Sequence, residues 1–208
     1  MRTRPRSAWS GFAAMTALAL TLSAASSGVS AEEAKAKPLP PGVAACDFGA
    51  LANDHTREGL NVRAEPSADA AILGRLRVLE NPYHEKVAAE LHVVGVRNGW
   101  FLIEGAVYPD NDFPNRPTVY GGRGWVSGKL LTTGLQGSAV KAAPDDKAAD
   151  VVEHDNDEWV AAILDCKGVW FRIEDHPSPS DGSKGPVRGW SRRSCTSQRS
   201  TCDWGGTP

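Results

Sequence analysis

An internal repeat is the feature that most constrains the fold of this 208-residue sequence. Three segments recur later in the chain: 59–73 as 137–151, 99–104 as 169–174, and 122–127 as 187–191. Aligning Pro66 with Pro144 also places Arg63 on Lys141. The three offsets are 78, 70 and 65 residues, so the loops between the segments differ in length while the segments persist. A repeat of this length predicts two structural units of the same kind in tandem.

The residues between these segments favour β-structure. Short apolar clusters such as 101–103 and 169–173 are rich in Val, Ile, Phe and Trp, and Gly, Pro, Asn and Asp separate them. Clusters of this length bounded by turn-forming residues are typical of strands. The best helix candidate is 85–91 (EKVAAEL), which is only about two turns long. The sequence therefore predicts an all-β protein.

The first copy of the repeat resembles the bacterial SH3-like (SH3b) domain family. The residues that carry the resemblance are LNVR, PS, ILG, NGWF and GWVSGKLL, in that order within residues 60–131. The second copy is more divergent, because Lys141 replaces Arg63, Asp145 replaces Ser67, and a serine stands in place of Val126. The resemblance implies two tandem small SH3-like β-barrels, each built from short strands and tight turns.

The N-terminal segment has the features of a secretory signal peptide. Arg2, Arg4 and Arg6 precede the apolar run 12–25, and small residues lead to a cleavage point after Ala31. This predicts a signal peptide at 1–31 and a secreted chain, periplasmic or extracellular. The apolar run is shorter than the ~20 residues that cross a bilayer, and no second run follows. We therefore expect no membrane association after cleavage.

The rest of the chain divides by composition. Residues 32–45 are charged and then rich in proline, which predicts an extended linker. The first SH3b-like domain is expected over 46–132 and contains a long loop at 105–122. The divergent second domain is expected over 133–204.

Four cysteines, Cys46, Cys166, Cys195 and Cys202, lie beyond the predicted cleavage point. An even number in an exported chain predicts two disulfides, for which three connectivities are open. Antiparallel pairing of 169–174 with 187–192 favours a Cys166–Cys195 bond and leaves Cys46 to pair with Cys202. A zinc site is disfavoured, because there is no Cys-x-x-Cys motif and the two last cysteines are seven positions apart.

Charge and motif content exclude several function classes. Of the 23 Lys and Arg residues, three lie in the predicted signal peptide, which leaves 20 against 25 Asp and Glu and a net charge of −5. An acidic chain has no general electrostatic attraction to nucleic acid or anionic membranes. The five histidines form no metal-binding motif, and neither a Gly-x-Ser-x-Gly elbow nor a phosphate-binding glycine loop occurs. We expect no metal, no cofactor and no enzymatic activity.

The candidate ligand-binding residues are aromatic side chains of the 105–122 loop and cationic side chains of the repeated segments. They are Tyr108, Phe113, Tyr120, Arg63, Arg123, Lys141 and Arg188. Two alternatives stay open: the aromatic residues could instead fold back as a lid on the barrel, and the cationic residues could be ordinary surface charge.

The resemblance implies a binding function. SH3b domains recognise peptide stems of peptidoglycan or peptide segments, so the expectation is a secreted, non-enzymatic binding module of the cell envelope. One alternative is a structural protein that docks on another envelope protein. A secreted inhibitor or effector is the other. The sequence does not determine the oligomeric state.

Overall fold

The computed structural model of the chain describes residues 37–109, 113, 118–135, 139–152, 159–175 and 185–198. The predicted signal peptide and Cys202 lie outside these residues. Within them, no helix has the length and apolar character needed to cross a membrane.

The described residues are almost entirely β-structure, which confirms the all-β prediction. The strands are β1 (Ala44–Ala52), β2 (Leu60–Arg63), β3 (Ile72–Leu76), β4 (Leu79–Glu80), β5 (Lys86–Val87), β6 (Glu90–Arg97), β7 (Trp100–Val107), β8 (Thr118–Ser127), β9 (Leu131–Thr132), β10 (Gly134–Leu135), β11 (Val140–Lys141), β12 (Asp150–Val152), β13 (Ala162–Lys167), β14 (Trp170–Asp175), β15 (Val187–Ser191) and β16 (Ser194–Cys195). A single 3₁₀ turn at Gly128–Leu130 precedes β9.

Two antiparallel sheets dominate the fold. The first has seven strands in the order β3-β2-β8-β7-β6-β1-β9, and the second has five in the order β12-β11-β15-β14-β13. Two small ribbons, β4-β5 and β10-β16, complete the described strands. The first sheet curls into a half-barrel.

The sequence repeat corresponds to a repeat of strand order. The run β3-β2-β8-β7-β6 has the same connectivity as β12-β11-β15-β14-β13. The register agrees as well: Arg63 lies opposite Trp125 in the first sheet, and Lys141 lies opposite Trp190 in the second. The residues that align between the two copies therefore occupy equivalent places in two sheets.

The turn that follows β2 in the first copy and β11 in the second contains the same hydrogen bond, although the residue that accepts it differs. In the first copy, the hydroxyl of Ser67 accepts a hydrogen bond from the amide of Asp69 at 3.2 Å. In the second, the carboxylate of Asp145 accepts the equivalent bond from the amide of Lys147 at 2.9 Å. Both side chains can stabilise a turn in this way. The replacement of Ser67 by Asp145 therefore conserves the local structure.

The first strand, β1, has no counterpart among the described strands of the second copy, and it joins the two sheets. It pairs with β6 and β9 of the first sheet, while its buried Phe48 stacks on Phe171 of the second sheet. Phe48 also meets Phe101 edge-on at 6.1 Å between ring centroids. From Pro38 onward the chain forms one compact unit. The two copies therefore share a hydrophobic core.

The disulfide prediction was wrong in its pairing. Cys46 of β1 is bonded to Cys166 of β13, which excludes both the Cys166–Cys195 and the Cys46–Cys202 bonds. Cys195 is also disulfide-bonded. The register explains the error: Cys166 lies opposite Phe171, and Phe171 lies opposite Ser191, so β14 separates β13 from β15. Cys195 lies beyond β15, in β16, which pairs with β10 and not with β13.

Two further expectations differ from the structure. The helix candidate 85–91 contributes to β5 and β6 instead, and its apolar residues Val87, Ala89 and Leu91 are buried at every second position, as in a strand. The predicted linker 32–45 also ends early, because β1 begins at Ala44.

Candidate functional site

A groove of about 310 Å³ crosses four neighbouring strands of the first sheet, β1, β6, β7 and β8. Its lining combines backbone at glycines with polar and aromatic side chains. The lining residues are Gly49, Glu90, Leu91, His92, Glu104, Gly105, Ala106, Val107, Thr118, Tyr120, Gly121 and Thr196. This volume lies at the lower end of the range for small-ligand sites.

Local irregularity of the sheet forms this groove. The register between β7 and β8 shifts after Glu104, where Gly105 adopts a φ of +79°, a conformation that favours glycine. Gly49 and Gly121 also line the groove without a side chain to fill it. The sequence thus leaves space on the sheet surface by placing glycines on three of the four strands.

The groove contains an aromatic ring and several ionisable groups. Tyr120 lines it, and its hydroxyl donates a 3.0 Å hydrogen bond to the carbonyl of Arg123. Arg123 forms an ion pair with Glu104. On the opposite side, the imidazole Nε2 of His92 is hydrogen-bonded to Asp47 at 2.8 Å. These pairs orient the groove side chains before any ligand arrives.

The three aromatic residues of the predicted loop 105–122 have different positions. That loop is shorter than predicted, because β7 extends to Val107 and β8 begins at Thr118, so Tyr120 lies in a strand. Tyr108 is only 3% exposed, its hydroxyl donates to the carbonyl of Arg77 at 2.6 Å, and Phe113 packs on its ring at 5.0 Å. Burial raises the pKa of the Tyr108 phenol, and the positive charge of Arg77, the smaller effect, lowers it. The rings of Tyr108 and Phe113 therefore pack against the protein, which is the alternative to ligand binding for these aromatic residues. Tyr120 alone reaches the groove, and partial burial raises the pKa of its phenol as well.

Internal contacts engage all four cationic candidates. Arg63 donates to the carbonyl of Ala70 at 2.7 Å, and Arg123 pairs with Glu104 and also donates to the carbonyl of Pro38 at 2.7 Å. In the second sheet, Lys141 pairs with Asp150 at 2.5 Å. Arg188 pairs with Glu174 at 2.5 Å. The first two residues belong to the first sheet and the last two to the second.

The arginine–glutamate pairs are a repeated feature that motif reading passed over. Glu104 lies opposite Arg123 in the first sheet, and Glu174 lies opposite Arg188 in the second. Both glutamates end the repeated segments 99–104 and 169–174. The recurrence of a glutamate at the end of both segments is the sequence pattern from which Glu104 could have been chosen as a candidate groove residue. His92 has no equivalent signal in the sequence.

Comparisons with models of protein families, with curated proteins and with solved structures found no match to this chain. Within the described residues, no group of three or more His, Cys, Asp or Glu side chains is placed to hold a metal ion.

Proposed function

We propose that this chain is a secreted, non-enzymatic SH3b-like protein that binds a peptide segment in the cell envelope, with the peptide stems of peptidoglycan as the first candidate. The observation that carries the proposal is the groove on the first sheet. Its lining includes Tyr120, whose ring packs over Gly74 and Gly122, together with the carboxylates of Glu90 and Glu104, the latter paired with Arg123. A ligand that suits this combination is a peptide with an apolar or aromatic part and a basic group.

Two further observations support the proposal. The motif series of residues 60–131 resembles domains that recognise such peptides. The Cys46–Cys166 disulfide fits an oxidising compartment, where exported proteins reside. Docking on another envelope protein remains the alternative function, and the same groove would serve it.

The test is co-sedimentation of the oxidised protein with purified peptidoglycan sacculi over a salt series, with a variant that fills the groove. Gly121→Phe suits this purpose, because a Cβ at Gly121 meets only the Thr118 methyl, at 3.8 Å, and its φ does not require glycine. Gly185→Phe is the matched control, since a Cβ there meets nothing within 4 Å and Gly185 does not line the groove.

Saturable pelleting of the wild type and of Gly185→Phe, with loss for Gly121→Phe, is the expected result. Wild-type protein that stays in the supernatant at every salt concentration would exclude the peptidoglycan ligand. Cross-linking among envelope proteins would then test the docking alternative. Equal pelleting of all three proteins would place the binding surface outside the groove.

A further inference from the structure

A second, smaller pocket of about 250 Å³ lies on the second sheet. It differs from the groove because cationic and aromatic side chains form most of its lining. The lining residues are Ala139, Lys141, Asp146, Trp170, Arg192 and Arg193. Lys141 was a sequence candidate, whereas the two arginines and Trp170 were not.

The charges of this pocket do not balance. Lys141 pairs with Asp150 at 2.5 Å, and Arg192 pairs with Asp146 at 3.0 Å. The guanidinium of Arg193 is exposed and has no partner among the described residues. Among the described residues, the three cationic side chains of the pocket therefore have two carboxylate partners, Asp150 and Asp146.

Trp170 supplies a flat wall beside these charges. The guanidinium carbon of Arg192 lies 5.6 Å from the centre of the indole ring, a cation–π distance that holds the arginine in place. The ring is partly exposed, and the Arg192 guanidinium lies over one of its faces. An anionic group attached to an apolar body would contact both features.

The pocket is specific to the second copy of the repeat. Alignment of Trp125 with Trp190 places Ser127 and Gly128 of the first copy on Arg192 and Arg193 of the second. Gly128 cannot be replaced by a larger residue, because a Cβ there would overlap the carbonyl of Ile163 and the ring of Phe101. Packing thus requires glycine at this position in the first copy, whereas the second copy carries an exposed arginine there.

We infer that the pocket formed by Lys141, Trp170, Arg192 and Arg193 binds the C-terminal carboxylate of a peptide. A guanidinium matches a carboxylate in geometry, and the Trp170 wall suits the side chain next to it. The volume is below that of a typical whole-ligand site, which fits the end of a chain rather than its middle. The inference does not depend on what occupies the groove of the first sheet.

The experiment uses the oxidised protein and two short probes, acetyl-alanyl-alanine with a free carboxylate and the same dipeptide with a C-terminal amide. Binding is followed by NMR through the indole N–H of Trp170, assigned by its absence in Trp170→Phe. The free acid is expected to shift this signal saturably, and the amide is not. Arg193→Ala is expected to weaken binding about tenfold, the loss of one charge-assisted contact.

Arg57→Ala is the matched control, because it removes the same charge from an exposed turn of the first copy. Equal shifts with acid and amide would overturn the inference, as would unchanged affinity in Arg193→Ala. Inorganic phosphate is the third probe, and phosphate binding as tight as that of the acid would overturn the carboxylate assignment. Gly121→Phe is expected to retain carboxylate binding, so failure of the groove proposal and failure of this one are distinguishable.

Discussion

The rings of Phe48 and Phe171 stack with their centroids 5.0 Å apart and their planes 29° from parallel. Phe48 belongs to β1 of the first sheet, and Phe171 belongs to β14 of the second. Both rings are buried. The contact therefore places one hydrophobic core across both copies of the repeat, and we expect the two copies to unfold together.

Phe48→Ala tests this expectation. Removing a buried aromatic side chain lowers the free energy of unfolding by about 3–5 kcal/mol. Urea unfolding should be followed by tryptophan fluorescence and by far-ultraviolet circular dichroism. The two probes should give one coincident transition in the wild type and in Phe48→Leu, a milder substitution that serves as control. Separate transitions for the two probes in the wild-type protein would show that the copies unfold independently.

The Cys46–Cys166 bond should stabilise the same junction. It closes a loop with a sequence separation of 120 residues, for which the chain-entropy model gives a stabilisation of nearly 5 kcal/mol, an upper bound in practice. The double variant Cys46→Ala/Cys166→Ala should therefore unfold at a markedly lower urea concentration. Peptide mapping without reduction should recover the two cysteines in one linked fragment. A linked fragment of Cys166 with Cys195 would contradict the structure.

Sequence reasoning predicted those parts of the fold that depend on local pattern. The β-structure and the repeat follow from short apolar clusters, and the equivalence of Arg63 and Lys141 is visible in the alignment. The disulfide could not be derived in this way, because it depends on β1. That strand precedes the repeated segments, which begin at residue 59, so the repeat does not indicate that Cys46 reaches β13.

The candidate site was predictable to a similar extent. Tyr120 lines the groove from strand β8, whereas Tyr108, which follows β7, is buried. Composition alone does not separate the two tyrosines, because each burial depends on packing against distant strands. The cationic pocket was missed because Arg192 and Arg193 lie outside the repeated motifs, and only folding brings them to Lys141.

Gly124 of the first sheet and Gly189 of the second occupy equivalent positions in the repeat, and we expect both positions to require glycine. A Cβ at Gly124 would overlap a methyl of Val62, and a Cβ at Gly189 would overlap the equivalent methyl of Val140. Gly189→Ala should therefore lower the free energy of unfolding by about 1–3 kcal/mol through overpacking. Gly185→Ala is the control, because a Cβ at that position meets nothing within 4 Å. Equal stability of the two alanine variants in urea would contradict the close approach at Gly189.

The buried hydroxyl of Tyr108 should make stability depend on alkaline pH. Burial raises the pKa of its phenol in the folded protein above the value of about 10 for an unfolded chain. The neutral form is therefore favoured by folding. The stabilisation that the neutral Tyr108 phenol gives the folded protein is complete below pH ~10. It is lost as the pH rises through the pKa of this phenol in the folded protein.

Tyr108→Phe should show two effects. At neutral pH it should lose about 1 kcal/mol, because the hydrogen bond to the carbonyl of Arg77 disappears. Above pH ~10 its stability should decline less steeply than that of the wild type, since no phenol remains at this buried position to ionise. Urea unfolding at a series of pH values measures both effects. Tyr83→Phe is the control, because Tyr83 is 69% exposed. Parallel pH profiles for wild type and Tyr108→Phe would show that the phenol ionises as readily in the folded chain as in the unfolded one.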